Sequence, residues 1–162
     1  MTPFRYFATA SVGYLASAFL IAVPAAASAA QINGMQVNFI KGSCQQLFLG
    51  KEQFAPQCSD KLMSTAYPNR RVGFHFVLDD GRGLSFSGMD GENPSSETDI
   101  VNIDKVIVNA KDGTDAPVDY QATGTCIYGN PYDGPMTVTC QGKTKDGRKF
   151  SGIFTSDGSA PE

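Results

Sequence analysis

The sequence has no tryptophan and a single histidine, and its charges are thinly spread, with a formal net charge of −3. One histidine, His75, leaves one place where imidazole-based catalysis could sit. Lys and Arg form no run or patch, which argues against a nucleic-acid partner. Beyond residue 30 no apolar run is long enough to span a bilayer, and no basic amphipathic helix is present to lie on one. A 3.6-residue apolar repeat of useful length is also missing, so helices are not expected. The cysteines never fall in the closely spaced pairs on which structural zinc draws.

What is present begins with a leader. Residues 1–30 have a short start with Arg5 as the only charge, an apolar middle, and the small-residue run Ala-Ala-Ala-Ser-Ala-Ala. These are the parts of a secretory signal, with cleavage expected after Ala29 or Ala30. An uncleaved anchor is the competing reading, because Val12 to Ala30 nearly reaches spanning length. The expected organisation is a cleaved signal at 1–30, one β domain at 31–155 and a flexible polar tail at 156–162.

Four cysteines follow the leader, Cys44, Cys58, Cys126 and Cys140, with thirteen residues between the members of each successive close pair. An even count in an exported chain reads as disulfides. Pairing Cys44 with Cys58 and Cys126 with Cys140 places a turn signal inside each loop. Each bridge then contributes about 3 kcal/mol in the chain-entropy picture.

The clearest pattern runs from Tyr120 to Thr155 and reads as three antiparallel strands. If Cys126 faces Cys140, Tyr128 faces Val138. Alternation then gathers Tyr120, Ala122, Cys126, Tyr128, Met136, Val138 and Cys140 on one face, and Thr123, Thr125, Thr137, Thr139, Gln141 and Lys143 on the other. The turn into the third strand, Lys145-Asp146-Gly147, decides where Phe150 and Phe154 point. A three-residue loop with a left-handed glycine puts both on the cysteine face, and burying them contributes about 1.5–3 kcal/mol each.

The same logic governs the middle of the chain. Phe74, Phe76 and Leu78 share a face, Asp79-Asp80-Gly81 turns, and Leu84 and Phe86 return, with Phe74 opposite Phe86 and Phe76 opposite Leu84. Val101 and Ile103 lie on one parity and Val106 and Val108 on the other, so a bulge is expected near Asp104-Lys105. Lys111-Asp112-Gly113 is a third Asp-Gly turn. Met35, Val37 and Phe39 alternate with Gln36 and Asn38 as a half-buried first strand. The first cysteine pair suggests a hairpin with Gly50-Lys51-Glu52 as its loop and Phe48 opposite Phe54, with Pro56 marking an edge. Lys61 to Tyr67 is a weaker strand, closed by the turn Tyr67-Pro68-Asn69-Arg70. Eight to ten short strands in a meander imply an all-β fold, either a small β-barrel or a two-sheet sandwich. Closure removes exposed edges, which favours the barrel.

Few residues offer chemistry. His75 alternates outward beside Ser85 and Ser87, but no Gly-x-Ser-x-Gly elbow accompanies it, so a surface histidine is expected. Asp90, Glu92, Asn93, Glu97 and Asp99 offer oxygen ligands for calcium without the ordered spacing of a calcium loop, and read as part of a solvated stretch over 89–99. Neither a cofactor nor a metal is implied. Tyr128, Asn130, Pro131 and Tyr132 form an aromatic, stiff loop next to a cysteine pair, and tyrosines in such places are favoured contact residues. Lipocalins and avidin-like barrels share the expected topology but lean on signature tryptophans, which this chain lacks.

These observations lead to an exported, periplasmic or extracellular, monomeric and non-catalytic β domain that contacts another exported or envelope protein, in the manner of a small inhibitor. An apolar small-molecule carrier is the alternative, and a hydrolase with an unrecognised site the next. Export has a direct check: intact-mass analysis of the secreted protein should find a chain starting near Ala30 or Gln31, and an exported form retaining Met1 would contradict it.

Overall fold

The computed structural model describes residues 30–111 and 115–162. The leader up to residue 29 and the Asp112-Gly113 turn lie outside them. Ten strands appear: β1 (Ala30–Ile32), β2 (Met35–Leu49), β3 (Glu52–Gln53), β4 (Cys58–Ala66), β5 (Arg71–Leu78), β6 (Gly83–Asp90), β7 (Asp99–Asn109), β8 (Val118–Tyr128), β9 (Thr137–Thr144) and β10 (Lys149–Ser156). From β4 to β10 they form an antiparallel meander. β2 then pairs with β10 on one side and with β4 on the other, which closes an eight-strand barrel rather than a sandwich. β1 and β3 are short additions to β2.

The turns set the registers. Gly81 and Gly147 sit at φ 86° and 89°, the left-handed region that glycine reaches without a Cβ clash. Both close three-residue loops, Leu78 bonding across to Arg82 and Thr144 to Arg148. Phe74 is therefore opposite Phe86 and Phe76 opposite Leu84, while Phe150 faces Gly142 and Phe154 faces Val138. Cys126 lies opposite Cys140, and that bridge and the Cys44–Cys58 bridge are both formed. The pairing of β7 with β8 skips at Asp104, which is the bulge that switches the parity of the buried valines.

Three expectations about the first half need correction. Met35–Phe39 and the segment bearing Cys44 form one continuous strand, β2. Its inner row passes through Ile40, opposite Leu62, while Val37 and Phe39 lie in the outer row opposite Thr65 and Met63. Phe39 is 40% exposed and Ile40 1%, while Val37, though in the outer row, is only 6% exposed. The second correction concerns the β2–β3 turn. Phe48 pairs with Gln53, not Phe54, because only Gly50 and Lys51 form the loop. Pro56 has no N–H to continue a ladder, so the chain leaves β3 into a 3-10 turn at Ala55–Gln57, and Phe54 turns into the core. Third, Asn33-Gly34 makes a two-residue turn with both residues at positive φ, adding β1 as a strand that alternation alone had not indicated.

The tail read as loose makes specific bonds. The Asp157 N–H donates to the Lys41 carbonyl at 2.9 Å, and Phe39 and Glu162 exchange two backbone bonds of 3.0 Å. Lys41 and Glu162 also form an ion pair. The stretch after β6 is likewise tied at its root, where the Gly91 N–H reaches the Ile100 carbonyl.

Phenylalanines fill the barrel. Phe86 stacks on Phe150 at 5.1 Å, and Phe76 meets Phe86 edge-on at 5.6 Å and Phe154 at 6.4 Å. Gly152 on β10 makes the room: a Cβ there would lie 2.6 Å from Phe86 and 2.8 Å from Phe76. Large rings against a bare backbone pack the barrel interior closely. Val108 and Tyr120 pack at the margin of this core rather than inside it. Phe76→Ala should therefore lower stability by about 3–5 kcal/mol, and Val77→Ala, on the adjacent outward position, by less than about 0.5 kcal/mol. Denaturant melts of both variants check this, and equal losses would contradict the register.

Candidate functional site

Tyr128, at the end of β8, begins the loop that crosses one mouth of the barrel. Its ring meets Phe74 edge-on at 5.0 Å, so it belongs to the wall of the core. Burial pushes its phenol up to about 12, with the charges of Asp99 and Asp90 and a hydrogen bond to Asp99 adding to the shift. Past Gly129 the chain makes a tight turn. The Asn130 side-chain oxygen accepts the Tyr132 N–H at 3.0 Å, its amide donates to Asp133 at 2.7 Å, and the Asp133 N–H reaches back to the Asn130 carbonyl at 3.3 Å. Pro131 presets φ at the second turn position.

Tyr132 then reaches across to β2, where its hydroxyl donates to the Asn38 side chain at 2.9 Å. This bond joins positions 94 apart in sequence and pins the loop over the opening. The ring remains 51% exposed. Beneath it lies a cleft of about 260 Å³ with Ile40, Phe74 and Met136 at its floor and Gln36, Asn38 and Asp99 among its polar residues. Gln36 and Asn38 line the cleft because β2 turns its apolar Val37 and Phe39 outward. The four loop residues singled out from sequence thus come together, in different roles. Tyr128 supports, Asn130 shapes the turn, and Pro131 and Tyr132 present a surface. Asn38 was not legible as their partner, since the contact arises only when β2 closes the barrel.

His75 lies on the outer face opposite Ser85, as alternation indicated, but it is covered more than a surface histidine would be. It is half-buried on the outer face, with Nε2 3.0 Å from the Thr65 hydroxyl and Nδ1 2.9 Å from the Ser85 hydroxyl. Ser85 is 1% and Thr65 5% exposed. The physical cause is lateral pairing, which sets Met63, His75 and Ser85 side by side across three strands. Both ring nitrogens face hydroxyls, so no carboxylate orients the imidazole, and the buried Ser85 oxygen offers no path to an attacked bond. The arrangement satisfies the polar groups of the wall.

Among the described residues, no group of three or more His, Cys, Asp or Glu side chains is placed to hold a metal ion. Asp90 in the acidic stretch instead pairs with Arg70 at 3.2 Å. No described helix is long and apolar enough to cross a membrane. Comparison with protein-family models, curated proteins and solved structures finds no match for this chain.

Burial lowers the His75 imidazole below its ordinary 6.5. The unfolded chain therefore binds this proton more readily, and stability should fall as pH drops below about 6.5. Carboxylates held low by partners, such as Asp104 beside Arg71, lose their contribution only at more acidic pH, below about 4. His75→Ala should cost about 1–2 kcal/mol at pH 7.5, because it leaves two buried hydroxyls unpaired, and should flatten the loss between pH 7.5 and 5. Melts at the two pH values check this, and an unchanged pH dependence in the variant would contradict it.

Proposed function

We propose that this chain is an exported, non-catalytic module that acts as a monomer and contacts another protein at the rim of the barrel mouth. The observation that carries the reading is the combination of a filled interior with an exposed tyrosine on a stiffened loop. A barrel packed with phenylalanine acts through its surface. Tyr132, half exposed and held by Asn38, is a rigid aromatic anchor that loses little side-chain freedom on contact. Two disulfides within so small a domain fit an oxidising compartment outside the cytoplasm.

The apolar floor of the mouth cleft favours a second reading, in which a small apolar molecule enters there. Its volume of about 260 Å³ falls below the roughly 300–1,000 Å³ of ordinary ligand pockets, so the protein-contact reading is preferred.

The test uses the mature domain as bait in secreted and envelope extract from the native cells. Tyr132→Ala should reduce capture of a specific protein about tenfold or more, as for an anchor residue. Lys145→Ala, on the turn between β9 and β10, should leave capture unchanged. Capture insensitive to Tyr132 would contradict the mouth as the contact site. A small apolar molecule copurifying in native mass spectrometry would move the assignment to the second reading.

A further inference from the structure

The outer face of β8, β9, β10 and β2 differs from the rest of the barrel wall. Two lateral rows cross it. One runs Thr125, Gln141, Ser151, Phe48, each opposite the next on the neighbouring strand. The row beside it runs Ile127, Thr139, Ile153, Gln46. At about 4.8 Å between strands, each row extends roughly 14 Å.

Neither row contains an ionised group. Two shallow depressions of about 580 Å³ each meet at Thr139 and make one trough along this face. Charge borders the two rows, with Glu97 and Asp133 at one end and Lys149, laterally opposite Lys143, at the other. The side chains of Gln46, Thr125, Thr139, Gln141 and Ser151 have no hydrogen-bonding partner among the described residues. On the opposite wall the polar groups are tied to one another, as when Arg71 bonds Ser87 and Asp104 and His75 bridges Thr65 and Ser85.

We propose that this face binds a neutral glycan chain. The charge pattern selects the partner: the two central rows hold no ion to pair with an ionic ligand and desolvate none when a neutral chain docks on them. Free amides and hydroxyls match the donors and acceptors of sugar hydroxyls. Phe48, Ile127 and Ile153 give apolar area for the C–H faces of the rings. A second copy of this chain fits less well, because the core of a stable protein interface is more apolar than rows built of amides and hydroxyls. The glycan face does not depend on the mouth contact, although one end of it adjoins the mouth loop, whose Tyr128, Asn130 and Asp133 line the first depression.

The experiment is a titration of the ¹⁵N-labelled mature domain with cellohexaose and, separately, with the hexamer of N-acetylglucosamine, followed by amide chemical shifts. Shifts centred on Phe48, Thr125, Thr139, Gln141 and Ser151 are expected with at least one of the two. Gln141→Ala and Thr125→Ala, both at positions outside the core, should each weaken binding about fivefold, the effect of one neutral hydrogen bond, with the melting temperature unchanged. Raising the salt concentration should alter affinity less than about twofold, since no ion pair forms. No shifts with either hexamer, shifts confined to the mouth loop, or a steep salt dependence would each overturn the proposal. So would a concentration-dependent dimer, formed without sugar and abolished by Gln141→Ala, because that would assign the face to a second copy.

Discussion

The barrel depends on β2 being paired along both of its edges. Residues 36–41 of this strand pair with β4 and residues 42–49 with β10, so one strand closes the sheet and changes neighbours midway. The change falls at Gly42, where a Cβ would lie 2.1 Å from the Thr155 carbonyl oxygen, so only a bare backbone allows the approach. Just beyond, where β2 and β4 part, the Cys44–Cys58 bridge holds them together. The edge that β2 would otherwise expose is covered in turn by β10, the tail through Asp157 and Glu162, and β1. An uncovered edge of this length would invite pairing with other chains.

Closure determines what the molecule can do. The inner rows converge on Phe74, Phe76, Phe86, Phe150 and Phe154, all nearly without exposure, and Gly152 lets the rings interlock. With these rings packed inside the closed barrel, the proposed recognition falls to its mouth and outer wall. The mouth is narrowed by the Tyr132–Asn38 bond, which exists only because β2 brings Asn38 beneath the loop. The wall divides into a side tied by polar pairs around His75 and Arg71 and a side along β8, β9, β10 and β2 whose two central rows hold no ionised group. Structure and proposed recognition thus follow from the same strand registers.

Much of this was legible from local chemistry. The Asp79-Asp80-Gly81 and Lys145-Asp146-Gly147 loops specify their registers because a one-residue slip would move phenylalanines to water. The parity change at Asp104 announces its bulge for the same reason. The first half was harder, since its registers answer to distant partners. Alternation in Met35–Phe39 marks a strand without saying which side faces the core, and Ile40 decides that only when it meets Leu62. The Asn33-Gly34 pair was a turn signal available in the sequence and carries β1. His75 points outward as alternation requires, and Thr65, brought alongside by the Tyr67–Arg70 turn that joins β4 to β5, bonds its ring from the neighbouring strand. Of the loop residues, Tyr128 and Tyr132 were identifiable by type, but their separate roles of support and display depend on Phe74 and Asn38.

The central claim is that β2 closes the barrel as part of one cooperative unit. Native-state hydrogen exchange tests it most directly, through the amides in the β2–β4 pairing beside Ile40 and Leu62 compared with those in the β9–β10 hairpin beside Val138 and Phe154. The account predicts that both sets exchange only through global unfolding, with the same free energy of opening. Fast exchange along β2–β4, with protection kept in the hairpin, would contradict it and describe an open sheet.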